Sequence, residues 1–569
     1  MTIIAFIVVC VFGMLLGLLA QPFARLSKLV AIGSVAAALT AALLINTEDT
    51  ATVGEVQLAA TWFVASFLRA LAASCLLLCL IGLLTGWPER LAPAALAVLA
   101  AVSVSISSTD PTVAVAAAAA ATAPAALVAS RIRSTPLGAT VGIAEMRTLA
   151  LVVVASLLAG ATIVNTNWNA DDTTFVLALA FLVLAAAVAV RSGAVPFHVP
   201  AALLSRSGEG LGLVLSLVWI PTGFGLVALS WNASIFGVPG DWLDRAVATV
   251  QLVAVSTLIL GAVGAMLHDE IEEIAVYSIV QDTGFILLAL TARDADAAQP
   301  ARLWLLVLVI AKSALVAWVA TASWAFETSN LGELRGWLRR APLLGLALVA
   351  IVAATIGWPG SPVFEARGTL VELGLPEWAR FIGLAAILLS LAYYARLLAV
   401  GLLPPTAIVS RAGADWPRLP RLPRLRDETA DVIAAAEETG TEAHRSLHFS
   451  VRHRLDAAWR LNRPFEASLL VLVTAALAVV VAFGGFSGTD ASESGIALDQ
   501  TTGLAPNAAS IDDGGAPTPE PTAESTPEPT ASPGSTASVN APLQQPPTAS
   551  ESGAPSATPV ASTVPSIGN

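Results

Sequence analysis

Apolar runs about as long as a bilayer is thick recur from one end of this chain almost to the other. A stretch of about 20 such residues is what a membrane-spanning helix needs, and the repetition leaves a polytopic helical bundle as the fold that satisfies it. Fourteen runs can be marked: 2–20, 29–45, 60–86, 91–107, 112–130, 146–164, 173–191, 208–231, 246–267, 272–291, 302–325, 342–372, 378–402 and 467–485. The run 342–372 is broken in its middle by Gly357-Trp-Pro-Gly-Ser-Pro362. With 56% hydrophobic and 12% charged residues, the 569-residue chain is excluded from the soluble globular class. The first run, from Thr2 to Ala20, has no basic segment before it and no clear small-residue cleavage site, so it reads as a retained anchor.

The connections between runs predict orientation. Arg25 and Lys28, Arg90, Arg131 and Arg133, Arg191, Arg335, Arg339 and Arg340, and the ten arginines from Arg411 to Arg463 all fall on one side. The alternate loops at 46–55, 165–172 and 294–298 are acidic or neutral. Positively charged loops stay in the cytoplasm, which places the N-terminus outside and segment 403–466 inside. The loop His268–Glu273 departs from this pattern, being cytoplasmic by count yet carrying Asp269, Glu270, Glu272 and Glu273. Segment 486–569, rich in Pro, Ser, Thr and Ala, cannot bury a core and is expected to be a disordered tail outside the membrane. The organisation expected is therefore N-terminal helices at 1–59, a main helical domain at 60–402, an Arg-rich connection at 403–466, a last helix at 467–485 and the tail.

Ionisable residues inside the runs are the functional signal, because charge in hydrocarbon is costly and usually has a partner or a task. The chain holds only two lysines, and Lys312 lies mid-way along the run 302–325. Asp282, mid-way along 272–291, is its candidate partner, either as a static ion pair joining two helices or as a titrating pair. Arg191 ends an apolar run just before the corner Pro196-Phe-His198, and Arg367 follows the break in 342–372. Irregular backbone at membrane depth is tolerated only against protein or water, and transporters place ion sites there. Pro221 marks a milder break. The cysteines Cys10, Cys75 and Cys79 lie in apolar runs and read as packing, and no motif for a metal, flavin, nucleotide or nucleic acid is present.

Six stretches occur in an order that has a counterpart elsewhere: Pro196-Phe-His198, Ala275 to Phe285, Lys312-Ser-Ala-Leu315, Leu334 to Pro342, Gly357-Trp-Pro359 with Phe364 and Arg367, and Tyr393-Tyr-Ala-Arg396. In these the chain resembles the antiporter-like membrane subunits of proton-pumping NADH–quinone oxidoreductase (complex I), subunits N and M in particular, and their Mrp-type cation/proton antiporter relatives. The resemblance covers roughly 60–400. It implies an all-α polytopic fold of about fourteen helices with inverted repeats, in a bacterial-type plasma membrane. It also implies neighbouring membrane subunits as partners, protons or monovalent cations as cargo, and no cofactor on this chain.

The resemblance implies proton-relay positions as well, and several are substituted. The carboxylate of the family's fifth helix falls near Ala119 when Pro124 sets the register, and the run 112–130 has no acid. The seventh-helix lysine becomes Arg191, the eighth-helix lysine falls at Ile220 or Pro221, and the twelfth-helix position becomes Arg367 with Glu365 nearby. The family's histidine after its Tyr-Ser motif is Asp282, and its Asp-x-Lys-Arg reads Glu270-Ile-Glu272-Glu273. Arginine keeps its proton where lysine can release one. Arg191, His198, Asp282, Lys312, Glu365 and Arg367 are the relay candidates. Two roles stay open at this stage: a divergent ion-conducting subunit of a complex I-like or Mrp-like assembly, and a non-pumping docking paralogue.

Overall fold

A computed structural model describes residues 2–47, 50–86, 90–130, 136–165, 173–205, 211–235, 238–407, 409, 464–484 and 496–498. The expectations for most of 403–466 and for the tail lie outside the described residues. The chain opens with α1 (Ile3–Ala20) and α2 (Ala24–Leu43), then a short antiparallel hairpin of β1 (Thr50–Val53) and β2 (Val56–Ala59). Next come α3 (Trp62–Thr85), α4 (Leu91–Ser107), α5 (Pro111–Ala120), α6 (Thr122–Ser130), α7 (Pro136–Asn165), α8 (Thr173–Ser192) and α9 (Val199–Ser205). The second half holds α10 (Gly212–Val214), α11 (Ile220–Asn232), α12 (Asp241–Leu267), α13 (Ile271–Thr291), α14 (Ala298–Phe326), α15 (Trp337–Arg340), α16 (Pro342–Ile356), α17 (Pro362–Gly374) and α18 (Glu377–Leu402). A last helix, α19, spans Pro464–Gly484.

Eleven described helices are long and apolar enough to cross a membrane, and three further apolar helices are shorter: Leu91–Ser107, Pro111–Ala126 and Pro342–Ile356. Local chemistry sets their ends. Thr2, Thr61, Asp110 and Ser361 each accept a hydrogen bond from a backbone N–H of the first turn, and Pro111, Pro342 and Pro362 sit where a missing N–H costs nothing.

Two boundaries differ from the sequence expectation, and a third follows it. The run 112–130 is two helices meeting at Ala121, where Thr122 turns its hydroxyl back onto the Ala119 carbonyl. The run 342–372 parts into α16 and α17 across Gly357–Ser361, as its Gly-Trp-Pro-Gly-Ser insert predicts, with Gly357 in a left-handed conformation (φ 77°) that suits glycine. The run taken to begin at 146 starts ten residues earlier, at Pro136. Pro221 has no N–H to offer the preceding turn, and the chain accommodates it with a π-helical turn at Leu215–Trp219 between α10 and α11.

Burial separates inner from outer helices. The segments Gly212–Asn232, Ile271–Thr291 and Ala295–Phe326 are each 94% buried over their most apolar stretch, against 28% for Ala139–Val164. The inner three therefore form the axis of the bundle, and the outer ones present leucine and valine outward, as a lipid-facing surface does. Two glycines of α12 draw it tightly against α13. A Cβ on Gly261 would lie 2.4 Å from the Gln281 backbone nitrogen, and one on Gly264 2.4 Å from the Tyr277 ring. This approach fixes the rotation of α13, and with it the direction in which Asp282 points.

Candidate functional site

The corner after α8 is built around Gly193, whose φ of 69° lies in the left-handed region. A Cβ there would lie 3.2 Å from Ala201 and 3.9 Å from Val280, so the corner lies close to the axial helix α13. The Val195 N–H donates to Thr257 on α12 at 3.1 Å, pinning the turn. Immediately before it, Arg191 is 2% exposed and its Nη1 lies 3.0 Å from Glu145 Oε2 on α7, itself 3% exposed.

The carboxylate that meets Arg191 is Glu145, and not a residue at Ala119, where the resemblance puts the family's acid. Ala119 instead packs against Val152, Val190 and Phe197. The acid comes from the following helix, and a hydropathy boundary set at 146 excluded it by a single residue. The available signal was Glu145 two residues before Arg147 in a segment whose helical pattern continues back to Pro136. His198 does not join this pair. It is half-buried, its carbonyl accepts from Ala202, and its Nδ1 has no hydrogen-bond partner among the described residues. Partial burial lowers its pKa, because desolvation penalises the charged ring.

A second centre lies on the bundle axis. Lys312 of α14 is fully buried, with Nζ 2.5 Å from Asp282 Oδ2 on α13. The same ammonium donates to the Ser278 carbonyl (3.3 Å) and hydroxyl (3.2 Å), and to the Tyr394 hydroxyl of α18 (3.2 Å). The break at Gly357–Ser361 lets α17 enter at an angle of its own, which brings Arg367 to Asp282 from the other side: Nη2 is 3.7 Å from Oδ1. Its Nη1 donates to the Thr355 carbonyl at 2.9 Å, and the guanidinium carbon lies 4.4 Å and 4.9 Å from the Phe285 and Trp304 ring centroids. Such aromatic faces supply about 2 kcal/mol to a desolvated cation.

One carboxylate thus faces two cations, with all three side chains buried. Gln281, the neighbour of Asp282, donates to the Ala386 carbonyl and the Ser390 hydroxyl, both at 2.7 Å, and accepts from Tyr393 at 3.1 Å. These bonds hold α13 and α18 in register around the charged group. Glu365 is exposed on the first turn of α17, two residues before Arg367 and on the other side of the helix. The structure therefore brings together Asp282, Lys312 and Arg367, and leaves Glu365 outside.

Between the two centres the expected second lysine has no replacement. Every residue of α11, Ile220 and Pro221 included, is buried, and none of them is ionisable. The π turn before it aims the Trp219 indole at Ser313, next to Lys312, with a 2.9 Å hydrogen bond. The chain keeps a polar contact at this place without a titrating one.

Residues 149–392 match the family model described as NADH:quinone oxidoreductase/Mrp antiporter, TM. That stretch is similar to the antiporter-like membrane domain this model describes. Relatives include NADH-quinone oxidoreductase subunit N of Hydrogenovibrio crunogenus, 26% identical over 241 residues, which cover 41% of this chain and 48% of the relative. Another is NAD(P)H-quinone oxidoreductase subunit 2 of Gloeothece citriformis, 24% identical over 268 residues, covering 44% and 49%. The chain thus spans about half the length of the curated relatives it matches.

Two solved assemblies contain chains of the same fold. A chain of respiratory complex I from Thermus thermophilus with bound Aureothin superposes with a TM-score of 0.55 at 18% identity, covering 72% of this chain and 95% of that one. A chain of the Mrp complex from Dietzia sp. DQ12-45-1b gives 0.56 at 17%, covering 88% and 98%. The fold is that of the antiporter-like polytopic membrane subunits, a multi-pass membrane protein.

Proposed function

We propose that this chain is a membrane subunit of a complex I-like NADH–quinone oxidoreductase and that it moves protons through the Asp282–Lys312–Arg367 centre, with neighbouring subunits supplying the redox chemistry. The observation that carries this reading is the pairing of one buried carboxylate with two buried cations on the bundle axis. Asp282 can lean toward Arg367 or toward Lys312. When it turns to the arginine, the ammonium loses its counter-charge and can release a proton. When it returns, the amine is favoured to take one up. Arg367 keeps its charge throughout and acts as the fixed competitor. Glu145 and Arg191 form the equivalent of an acid–base pair in the other half of the domain, with the base replaced by a group that does not deprotonate.

The orientation that goes with this reading has the N-terminus and tail outside and 403–466 in the cytoplasm of a bacterial-type plasma membrane, and it rests on the arginine distribution in the loops. A second reading, a subunit of an Mrp-type cation/proton antiporter assembly, is supported by the more extensive superposition with the Mrp chain, 88% of this chain against 72%. The two differ in what drives the ion. The test is Lys312→Ala in the assembled complex, with proton uptake into inverted vesicles driven first by NADH and then by a sodium gradient. Loss of uptake on the order of tenfold with NADH, and intact assembly on native gels, is the expected result. Loss only with the sodium gradient selects the Mrp-type reading. Unchanged uptake under both overturns proton relay by this chain and leaves a docking role.

A further inference from the structure

The N-terminal end of α13 holds ionisable groups that the relay above does not use, and one pair among them has a defined proton geometry. His268 closes α12: its backbone N–H donates to the Gly264 carbonyl, and its ring Nδ1 lies 2.7 Å from that same oxygen. A carbonyl only accepts, so this bond keeps the hydrogen on Nδ1 and leaves Nε2 as the nitrogen that gains and loses a proton. Nε2 is 3.4 Å from Glu273 Oε2. The histidine side chain is 29% exposed and the glutamate 7%, so the pair leads from solvent into the protein. The ring stacks on Tyr277 (centroids 4.6 Å apart, planes at 20°), and Tyr277 is itself wedged against Gly264.

The neighbouring charges are taken up elsewhere. Arg396 of α18 donates to the Met266 and His268 carbonyls and pairs with Asp269. Glu270 accepts from Ser329, and Glu272 accepts from Ser323 of α14 at 3.2 Å. Glu273 is the carboxylate within reach of the histidine Nε2. Five residues further along the same helix, about 7.5 Å of axial rise and about 140° of turn, stands Ser278, whose carbonyl and hydroxyl both receive the Lys312 ammonium.

We propose that His268 and Glu273 are the proton port of the Asp282–Lys312–Arg367 centre, an inference that rests on the relay reading of that centre. A proton from solvent binds Nε2, giving an imidazolium paired with the Glu273 carboxylate. It then passes to Oε2, which restores neutral imidazole with its hydrogen still on Nδ1. Neutral Glu273 releases the proton to water entering between α13 and α14, which carries it inward to the neutral Lys312 amine beside Ser278, and the glutamate returns to its anion. Only N–H and O–H bonds form and break, and the same steps run in reverse for release.

The test is proton uptake by inverted vesicles holding the assembled complex, across about pH 5 to 8, with His268→Asn, Glu273→Gln and Glu270→Gln beside Lys312→Ala. Asparagine can still donate to Gly264 but cannot carry the proton. His268→Asn and Glu273→Gln should each slow uptake on the order of tenfold and alter its pH profile. Added imidazole should restore the histidine variant alone, and Glu270→Gln should match the parent. Uptake at the parental rate in both port variants, with Lys312→Ala impaired, overturns the port and leaves the relay standing. Slow uptake with an unaltered pH profile and no imidazole rescue marks a merely structural pair and also overturns it. Unimpaired Lys312→Ala shows that the relay reading itself has failed.

Discussion

Glu145 of α7 reaches Arg191 of α8 at 3.0 Å, with both side chains almost sealed from solvent. The pair joins a helix largely exposed on the outside of the bundle to the corner that touches α13, so it fastens the edge of the domain to its axis. Removing one charge of a buried pair strands the other. Glu145→Gln should lower the unfolding free energy by about 3–5 kcal/mol. The double change Glu145→Gln with Arg191→Met should recover most of that loss. Thermal unfolding in detergent measures both, and a double variant as unstable as the single one would show that the pair is not what holds the corner.

Asp282 and Lys312 are predicted to be unequal. Lys312→Met leaves Asp282 with Arg367, still a paired carboxylate. Asp282→Asn leaves two cations facing each other with no anion between them. The asparagine variant should be the less stable of the two, by about 1–3 kcal/mol beyond the loss caused by methionine. Matched unfolding midpoints for the two would contradict the shared-carboxylate geometry.

Close approach of α12 and α13 makes a steric prediction that involves no charge. Gly261→Ala and Gly264→Ala put a Cβ 2.4 Å from the Gln281 backbone and the Tyr277 ring, and should each destabilise by about 1–3 kcal/mol. Gly368→Ala, on a helix position with nothing within 4 Å, should be neutral or stabilising by up to about 1 kcal/mol. Melting temperatures of the three single variants order them directly.

His198 gives a pH dependence whose sign follows from its lowered pKa. The unfolded chain binds a proton at the ordinary histidine range while the folded chain resists it. Stability from this group is therefore complete above that range and is lost as pH falls through it toward the folded value. Melting temperature should fall between about pH 7.5 and 5.5 more steeply in the parent than in His198→Gln. Parallel slopes would mean that His198 is hydrated equally in both states.

How far the sequence could be read depended on whether a residue acts within its own segment or across segments. The bilayer-length runs, the break at Gly357–Ser361 and the kink at Pro221 are properties of contiguous chain, and the helices follow them. Lys312 and Asp282 stood out because a charge at that depth is costly wherever it points, and that cost alone made Asp282 the candidate partner of Lys312. Glu365 and Glu145 show the limit. The resemblance pointed to Arg367 with Glu365 nearby, but residues two apart on a helix face different sides, and only one turns inward. Glu145 lay one residue outside a hydropathy boundary, and nothing in its own segment says that Arg191, 46 residues away, is its partner.

The same division holds for the chain as a whole. By itself the sequence determined a bundle of membrane-spanning helices, where those helices bend, and which few ionisable side chains the bundle has to bury. Tertiary structure alone decided which of them meet. Asp282 is held between Lys312 and Arg367 because Gly261 and Gly264 set the rotation of α13 and the Gly357–Ser361 break sets the approach of α17. Hydrophobic patterning selects helices and their depth, whereas the pairing of charges depends on backbone separations and rotations that arise only when several helices pack at once.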